Sequence, residues 1–321
     1  MSASADMRAY VLRRCLLALL QCLVVLLAVF AVGSLLPGDT ADVLRGELGT
    51  PEQVTALRDQ LGLDEPAWSR FGHWLAHLFT GDPGNSLTTG LPVGDDIGRR
   101  VGVTLLLGVP ALLLVTVLAP LVGAVSGLRE GSRVDRALNT AAVVLHAVPE
   151  FVLGLLLVAS VSLAAGLLPA TAVGMDAHAL WAQPAVLVLP VVVLTARHLC
   201  DLARQIRAGV ADQRHSAVAE HLRLLGMRER VIVVRHVLPG ALGPAAQQYA
   251  RCVEGLLGGA VLVEAVFGFR GLGNGFVEAV QNRDLPQVQT YALLFAGTAV
   301  AVNLAADLVA HRLAPRREVT A

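Results

Sequence analysis

Six stretches of this chain are long and apolar enough to cross a lipid bilayer, and that constrains its fold more than any other feature. They run over roughly 11–35, 102–127, 138–165, 184–203, 245–266 and 287–310. A helix needs about 20 mostly apolar residues to span the hydrocarbon. With no water there, backbone N–H and C=O groups must pair within the chain, which a helix does by itself. An all-α integral membrane protein with six transmembrane helices is therefore expected, with the lipid bilayer as its surroundings. Composition agrees: of 321 residues, 55% are hydrophobic and 16% charged, against about a quarter charged in soluble domains. The formal net charge is zero, which leaves no electrostatic basis for a nucleic-acid partner. Arg13 and Arg14 precede the first apolar run as in a secretory signal. That run far exceeds a signal core of about 7–15 residues and has no small-residue cleavage site, so it is expected to stay attached.

The basic residues, all of them arginine, are segregated. Arg8, Arg13 and Arg14 precede the first run, and Arg129, Arg133 and Arg136 follow the second. Arg204, Arg207, Arg214, Arg223, Arg228, Arg230 and Arg235 crowd the connection between the fourth and fifth, and Arg312, Arg316 and Arg317 follow the sixth. If the spans alternate, all four groups share one side, and the positive-inside rule makes it cytoplasmic. Both termini are then expected inside.

The opposite side receives the acidic segment 37–98, which carries two short amphipathic stretches near 51–61 and 66–79. Trp68, Phe71, Trp74, Leu75 and Phe79 give the second an apolar face suited to the outer membrane interface. His73 and His77 stand i, i+4 on it, a spacing that metal ligands use on helices. With no third ligand nearby they read as interfacial histidines, and no metal site is expected. Cys15, Cys22, Cys200 and Cys252 form no C-x-x-C pair and read as small apolar fillers.

The connection 204–243 is too ordered for a simple turn. Good helix formers run from Val218 to Val234, interrupted by Gly226, which permits a sharp change of direction. Leu238-Pro239-Gly240 reads as a stop before the next span. A short helix, a bend and a second helix should project from the arginine-rich side. An amphipathic helix resting on headgroups is the other reading of this stretch.

Glu220-His221-Leu222, three residues, Gly226, nine residues, His236, then Leu238-Pro239 resembles the E-A-A-x3-G-x9-I-x-L-P loop of ATP-binding-cassette importer permeases. Both alanines and the isoleucine are replaced here. The rest of the chain resembles the dipeptide/oligopeptide/nickel permease subfamily, first-subunit type, from residue 7 to about 317. The resemblance rests on Arg13-Arg14 with Leu36-Pro37-Gly38-Asp39, Gly81-Asp82 with Gly84 and Ser86, and Gly131-Ser132 with Asp135-Arg136. It continues through Pro149-Glu150-Phe151, Arg204-x-x-Arg207, Gly258-Gly259 with Glu264 and Phe267, Gly271-Leu272-Gly273, Arg283-Asp284-x-Pro286, Asn303 and Asp307. Arg270 stands where the subfamily usually has Pro, and Ala314-Pro315-Arg316 replaces a D-P-R tail.

The resemblance implies a type I importer permease fold with a cytoplasmic coupling helix, in a bacterial inner membrane. It divides the chain into an N-terminal helix over 1–36, an extracytoplasmic segment with interfacial helices over 37–98, a five-helix core over 99–313 including the coupling loop, and a cytoplasmic tail over 314–321. It implies a second permease that is a related but different chain, two ATP-binding subunits and an extracytoplasmic solute-binding protein. Glu220, His221, Leu222, Arg223, Gly226, Arg228, Leu238 and Pro239 would make the coupling element, with Arg230 beside them. The cargo would be a di- or oligopeptide, with nickel or a metal chelate as the alternative. The chain has no G-x4-G-K-[ST] phosphate loop, so it should bind no cofactor, and ATP and Mg belong on the partner subunits.

Ionisable residues inside spans are costly and mark candidate pathway positions: Glu150, Arg251, Glu254 and Glu264. Arg251 and Glu254, at i, i+3, either line the pathway or neutralise one another. Glu150, after Pro149, either lines the pathway or serves a helix kink. Glu264 either snorkels or gates. Gly255, Gly258 and Gly259 form a small-residue face, for packing on the partner permease or for solute passage. An intramembrane enzyme would need a nucleophile with a base or a metal set, and Ser160, Ser162, His146 and His198 supply neither pattern. A secondary transporter would be expected to show related halves, and none is visible.

Overall fold

The computed structural model describes residues 2–35, 38–45, 51–175 and 177–313; the tail 314–321 with Arg316 and Arg317, and the Leu36-Pro37 pair of the N-terminal motif, lie outside them. The described residues are helical almost throughout: α1 (Ser2–Leu35), α2 (Thr40–Arg45), α3 (Pro51–Gln60), α4 (Ala67–Phe79), α5 (Val93–Leu128), α6 (Arg133–Ala147), α7 (Glu150–Leu157) and a π-helical turn (Val158–Ala164). After these come α8 (Ala177–Ala182), α9 (Ala185–Arg214), α10 (Ala217–Leu224), α11 (Glu229–Ile232), a second π-helical turn (Val233–Val237), α12 (Leu238–Phe267), α13 (Leu272–Gln281) and α14 (Leu285–Leu313).

Four helices are by themselves long and apolar enough to cross a membrane, and six spans result if each of two bent pairs counts as one. The third expected span is one of those pairs. It breaks between α6 and α7 with a bend of 100°. Pro149 has no N–H to continue the ladder, and its ring forces Val148 into extended backbone (φ −82, ψ 123). The sequence shows the proline but not that the helix turns a corner there.

The chain divides into two compact units, Met1–Thr104 with Arg270–Ala301 and Leu105–Phe269 with Val302–Ala321. In the first, α4 does not give its whole apolar face to lipid. Phe71 and Trp74 are buried with Leu26 and Phe30 of α1, leaving Trp68 and Phe79 exposed. His73 and His77 lie 3.7 Å and 3.9 Å from Glu65 and Asp82. Asp284, fully buried, accepts from Ser86 Oγ (2.6 Å) and from the Thr88 N–H (3.1 Å) and hydroxyl (3.0 Å). Arg283 donates to the Gly38 carbonyl at 2.8 Å. Three motifs far apart in sequence therefore form one knot.

In the second unit α9 is the central helix, with most of its apolar stretch buried. It packs along α12 and against α6 and α7. Close approach depends on small residues. A Cβ at Gly123 of α5 would lie 2.6 Å from the Ala203 carbonyl oxygen, and one at Gly127 2.8 Å from that of Arg207. Around Asp135, at the start of α6, Arg207 donates through Nε (2.6 Å) and Nη2 (2.8 Å), and Gly131 N–H adds a bond at 3.0 Å. Ser126 Oγ donates as well. Ser132 caps α6 by accepting from the Asp135 N–H at 3.1 Å.

Candidate functional site

Two places in the second unit carry the residues singled out from the sequence. The first is the elbow between α9 and α12. Ser216 caps α10, accepting from the Ala219 N–H at 3.3 Å. The helix ends in a Schellman turn: Gly226 N–H bonds the Arg223 carbonyl (2.9 Å), and Met227 N–H bonds that of Leu222 (3.1 Å). Gly226 sits at φ 76, a left-handed conformation that costs any other L-residue about 1–2 kcal/mol. The bend expected at this glycine is thus present, and its cause is the backbone.

Ala219 seats α10 against the body of the unit at 1% exposure, while Glu220, His221 and Arg228 face solvent. Val218, Leu224 and Leu225 are also exposed, a cluster the sequence reading passed over. Leu222 is half-buried. Arg223 is committed within the chain: it grips Glu229 with Nε and Nη2, each at 3.0 Å, and the Arg214 carbonyl with Nη1 at 3.0 Å. The guanidinium holds the Glu229 carboxyl below its usual range. Arg223 therefore fastens the elbow from within, with its side chain still 35% exposed.

Leu238-Pro239-Gly240 does not stop the helix as expected. From Glu229 to Phe267 the helical path continues through the π-helical turn just before Pro239. A π turn widens the winding by one residue, which makes room for a ring that carries no N–H. Leu238 is half-buried and Pro239 exposed.

The second place is a cleft of about 490 Å³ between α7, α9 and α12. Pro149 to Phe151 form one wall, Arg197, His198 and Asp201 another, and Gln248, Arg251, Cys252 and the glycines 255, 258 and 259 the third. Glu150 and His198 are 8% and 7% exposed. Gly255 admits the His198 ring, and a Cβ at Gly259 would stand 2.6 Å from Glu150 Oε2. Two of the three glycines in the small-residue face are thus filled by this chain's own side chains, and Gly258 alone meets nothing within 4 Å. Asp201 lies 3.0 Å from His146 Nδ1.

Arg251 and Glu254 do not pair. Arg251 bonds Gln248 Oε1 at 3.0 and 2.7 Å, and Glu254 receives Asn303 Nδ2 from α14. Glu264 is fully buried, which removes the snorkelling role considered for it. Of the four pathway candidates, Glu150 and Arg251 share the cleft, and Glu254 and Glu264 do not line it. Arg197 and Asp201, which do, were legible as an i, i+4 charge pair at the end of an apolar run.

A bent, glycine-lined helix core with an ordered elbow at one end and a charged cleft within it defines a membrane transport subunit. The chain belongs to the family described as "Binding-protein-dependent transport system inner membrane component", whose model matches residues 119–319, a stretch that contains both elbow and cleft. The companion N-terminal family matches residues 7–91. The probable peptide ABC transporter permease protein y4tP of Sinorhizobium fredii (strain NBRC 101917 / NGR234) is 30% identical over 313 residues, covering 97% of this chain and 99% of that protein. The glutathione transport system permease protein GsiC of Salmonella typhi is 32% identical over 300 residues, covering 94% and 95%. Its namesake in Escherichia coli (strain K12) is 31% identical over the same length. The protein is accordingly a multi-pass permease of the ATP-binding-cassette importer type.

Proposed function

We propose that this chain forms half of the membrane pathway of a bacterial inner-membrane importer for di- or oligopeptides. The relatives named for peptide and glutathione transport support that cargo. A related second permease completes the pathway, and an extracytoplasmic binding protein delivers the solute. Two ATP-binding subunits hold ATP and Mg and carry out hydrolysis on the side where both termini lie. The observation that carries this reading is the elbow. It is locked internally by Arg223 and Gly226 yet presents Val218, Leu224 and Leu225 to solvent beside Glu220. Exposed apolar side chains on a rigid projection fit a protein groove better than water.

The test is to express the chain with its neighbouring transport genes, purify it in mild detergent and assay ATP hydrolysis. ATP-binding subunits should co-purify with the wild type. They should be lost or uncoupled with Gly226→Pro, which cannot adopt φ 76, and weakened with Glu220→Ala. A chain that purifies alone and moves solute without ATP would overturn the reading in favour of a secondary transporter.

A further inference from the structure

The cleft holds charges of both signs on its three walls, and two of its polar atoms are unfinished. Glu150 Oε2 and His198 Nε2 are shielded from solvent and make no hydrogen bond, although both side chains are more than nine-tenths buried. Leaving such atoms unpaired is destabilising, and a ligand able to bond them removes that cost. Across the cleft, Arg251 is exposed and steadied by Gln248. The volume of about 490 Å³ falls within the range of small-ligand sites. Glycines at 255 and 259 leave room for the His198 ring and the Glu150 carboxylate.

We propose that this cleft reads both ends of a zwitterionic peptide in transit, Glu150 receiving the α-ammonium and Arg251 the α-carboxylate. The inference rests on the reading of the chain as a peptide permease and specifies which chemical groups of the cargo it recognises. An ammonium brings three donors to a carboxylate that has an empty acceptor, and a guanidinium presents paired N–H groups to a carboxylate. A blocked amine leaves Glu150 buried without its donor, and a blocked carboxylate leaves Arg251 facing a neutral amide. Arg197, on the neighbouring wall, is the competing counter-ion within the chain.

The whole complex in proteoliposomes tests this, with uptake measured for one tripeptide in free, N-acetylated and C-amidated forms. The binding protein is common to every sample, so a change in the uptake quotient between wild type and variant reports the cleft alone. Glu150→Gln should lower the quotient of free to N-acetylated peptide about tenfold, the scale of one charge-assisted hydrogen bond, and leave the free to C-amidated quotient unchanged. Arg251→Gln should do the converse. Because Arg251 is exposed, its removal leaves the packing alone, so this arm decides the matter even where Glu150→Gln does not assemble. Unchanged quotients in Arg251→Gln, or in both variants, would overturn the proposal and leave Arg197 as the partner of Glu150. A wild-type complex that moves no peptide fails the earlier reading instead, whatever the variants do.

Discussion

Asp135 is 2% exposed and accepts from Ser126, Gly131 and both forks of Arg207. A carboxylate so fully bonded is held well below the usual range, first by the Arg207 bonds and then by Ser126. Because its folded pKa is depressed, its contribution to stability is complete above the unfolded value, about 3.9, and is lost as pH falls below it. Asp135→Asn should therefore lower the melting temperature of the purified chain at pH 7, by an amount equivalent to about 2–3 kcal/mol. It should also flatten the decline of the wild type between pH 5 and about 3. A variant with an unchanged melting temperature at pH 7 would show that Arg207 and Asp135 are solvated independently. This pair joins two motifs that lie far apart in sequence. No periodicity or spacing signals it, which is why the sequence shows both motifs without their contact.

At the scale of the element, the elbow shows how much of a local structure a few residues dictate. Ser216 at the cap and Gly226 at the left-handed position fix the two ends of α10, and the bend at Gly226 was legible. The second helix after Gly226 was legible too, but its run on through Pro239 was not, because a proline ordinarily argues for an ending and the π-helical turn that accommodates it has no sequence signature. The internal grip of Arg223 was hidden for a related reason: an arginine in a basic loop looks free until the fold brings Glu229 beside it. In the docking proposed for the elbow, the exposed apolar side chains would carry the contact. Leu224→Asp, at a position 81% exposed, should leave the stability of the chain within about 0.5 kcal/mol of wild type. The same change should reduce ATP hydrolysis stimulated by the loaded binding protein about tenfold or more, on the scale of an interface hot spot. Unaltered stimulation would place the docking face elsewhere.

For the whole molecule, the six apolar runs were readable because hydrocarbon admits little besides a helix, and the boundaries erred mainly where helices continue past the apolar region. A kink at Pro149 was readable, though not its angle of 100°. The cleft was not, because it depends on which small residue faces which large one, and glycine carries no mark of its neighbour. Gly255 and Gly258 make that distinction measurable. Gly255→Val would drive a side chain into the His198 ring and should destabilise the chain by about 2 kcal/mol, the scale of overpacking. Gly258→Ala meets nothing within 4 Å and should melt with the wild type. Equal effects from the two substitutions, measured by thermal shift in detergent, would mean that the helices around the cleft yield freely.

The unbroken helical path from Glu229 to Phe267 has a mechanical consequence. At a rise of about 1.5 Å per residue it is a lever of roughly 55 Å, with Gly255 some 39 Å from the elbow end. A tilt of about 10° pivoted at the elbow would carry Gly255 sideways by roughly 7 Å, more than one helical turn. Leverage of this kind would turn a small rotation at the elbow into a displacement on the scale of the cleft. The compliance of the π-helical turn near the fulcrum would then set how much of the stroke arrives.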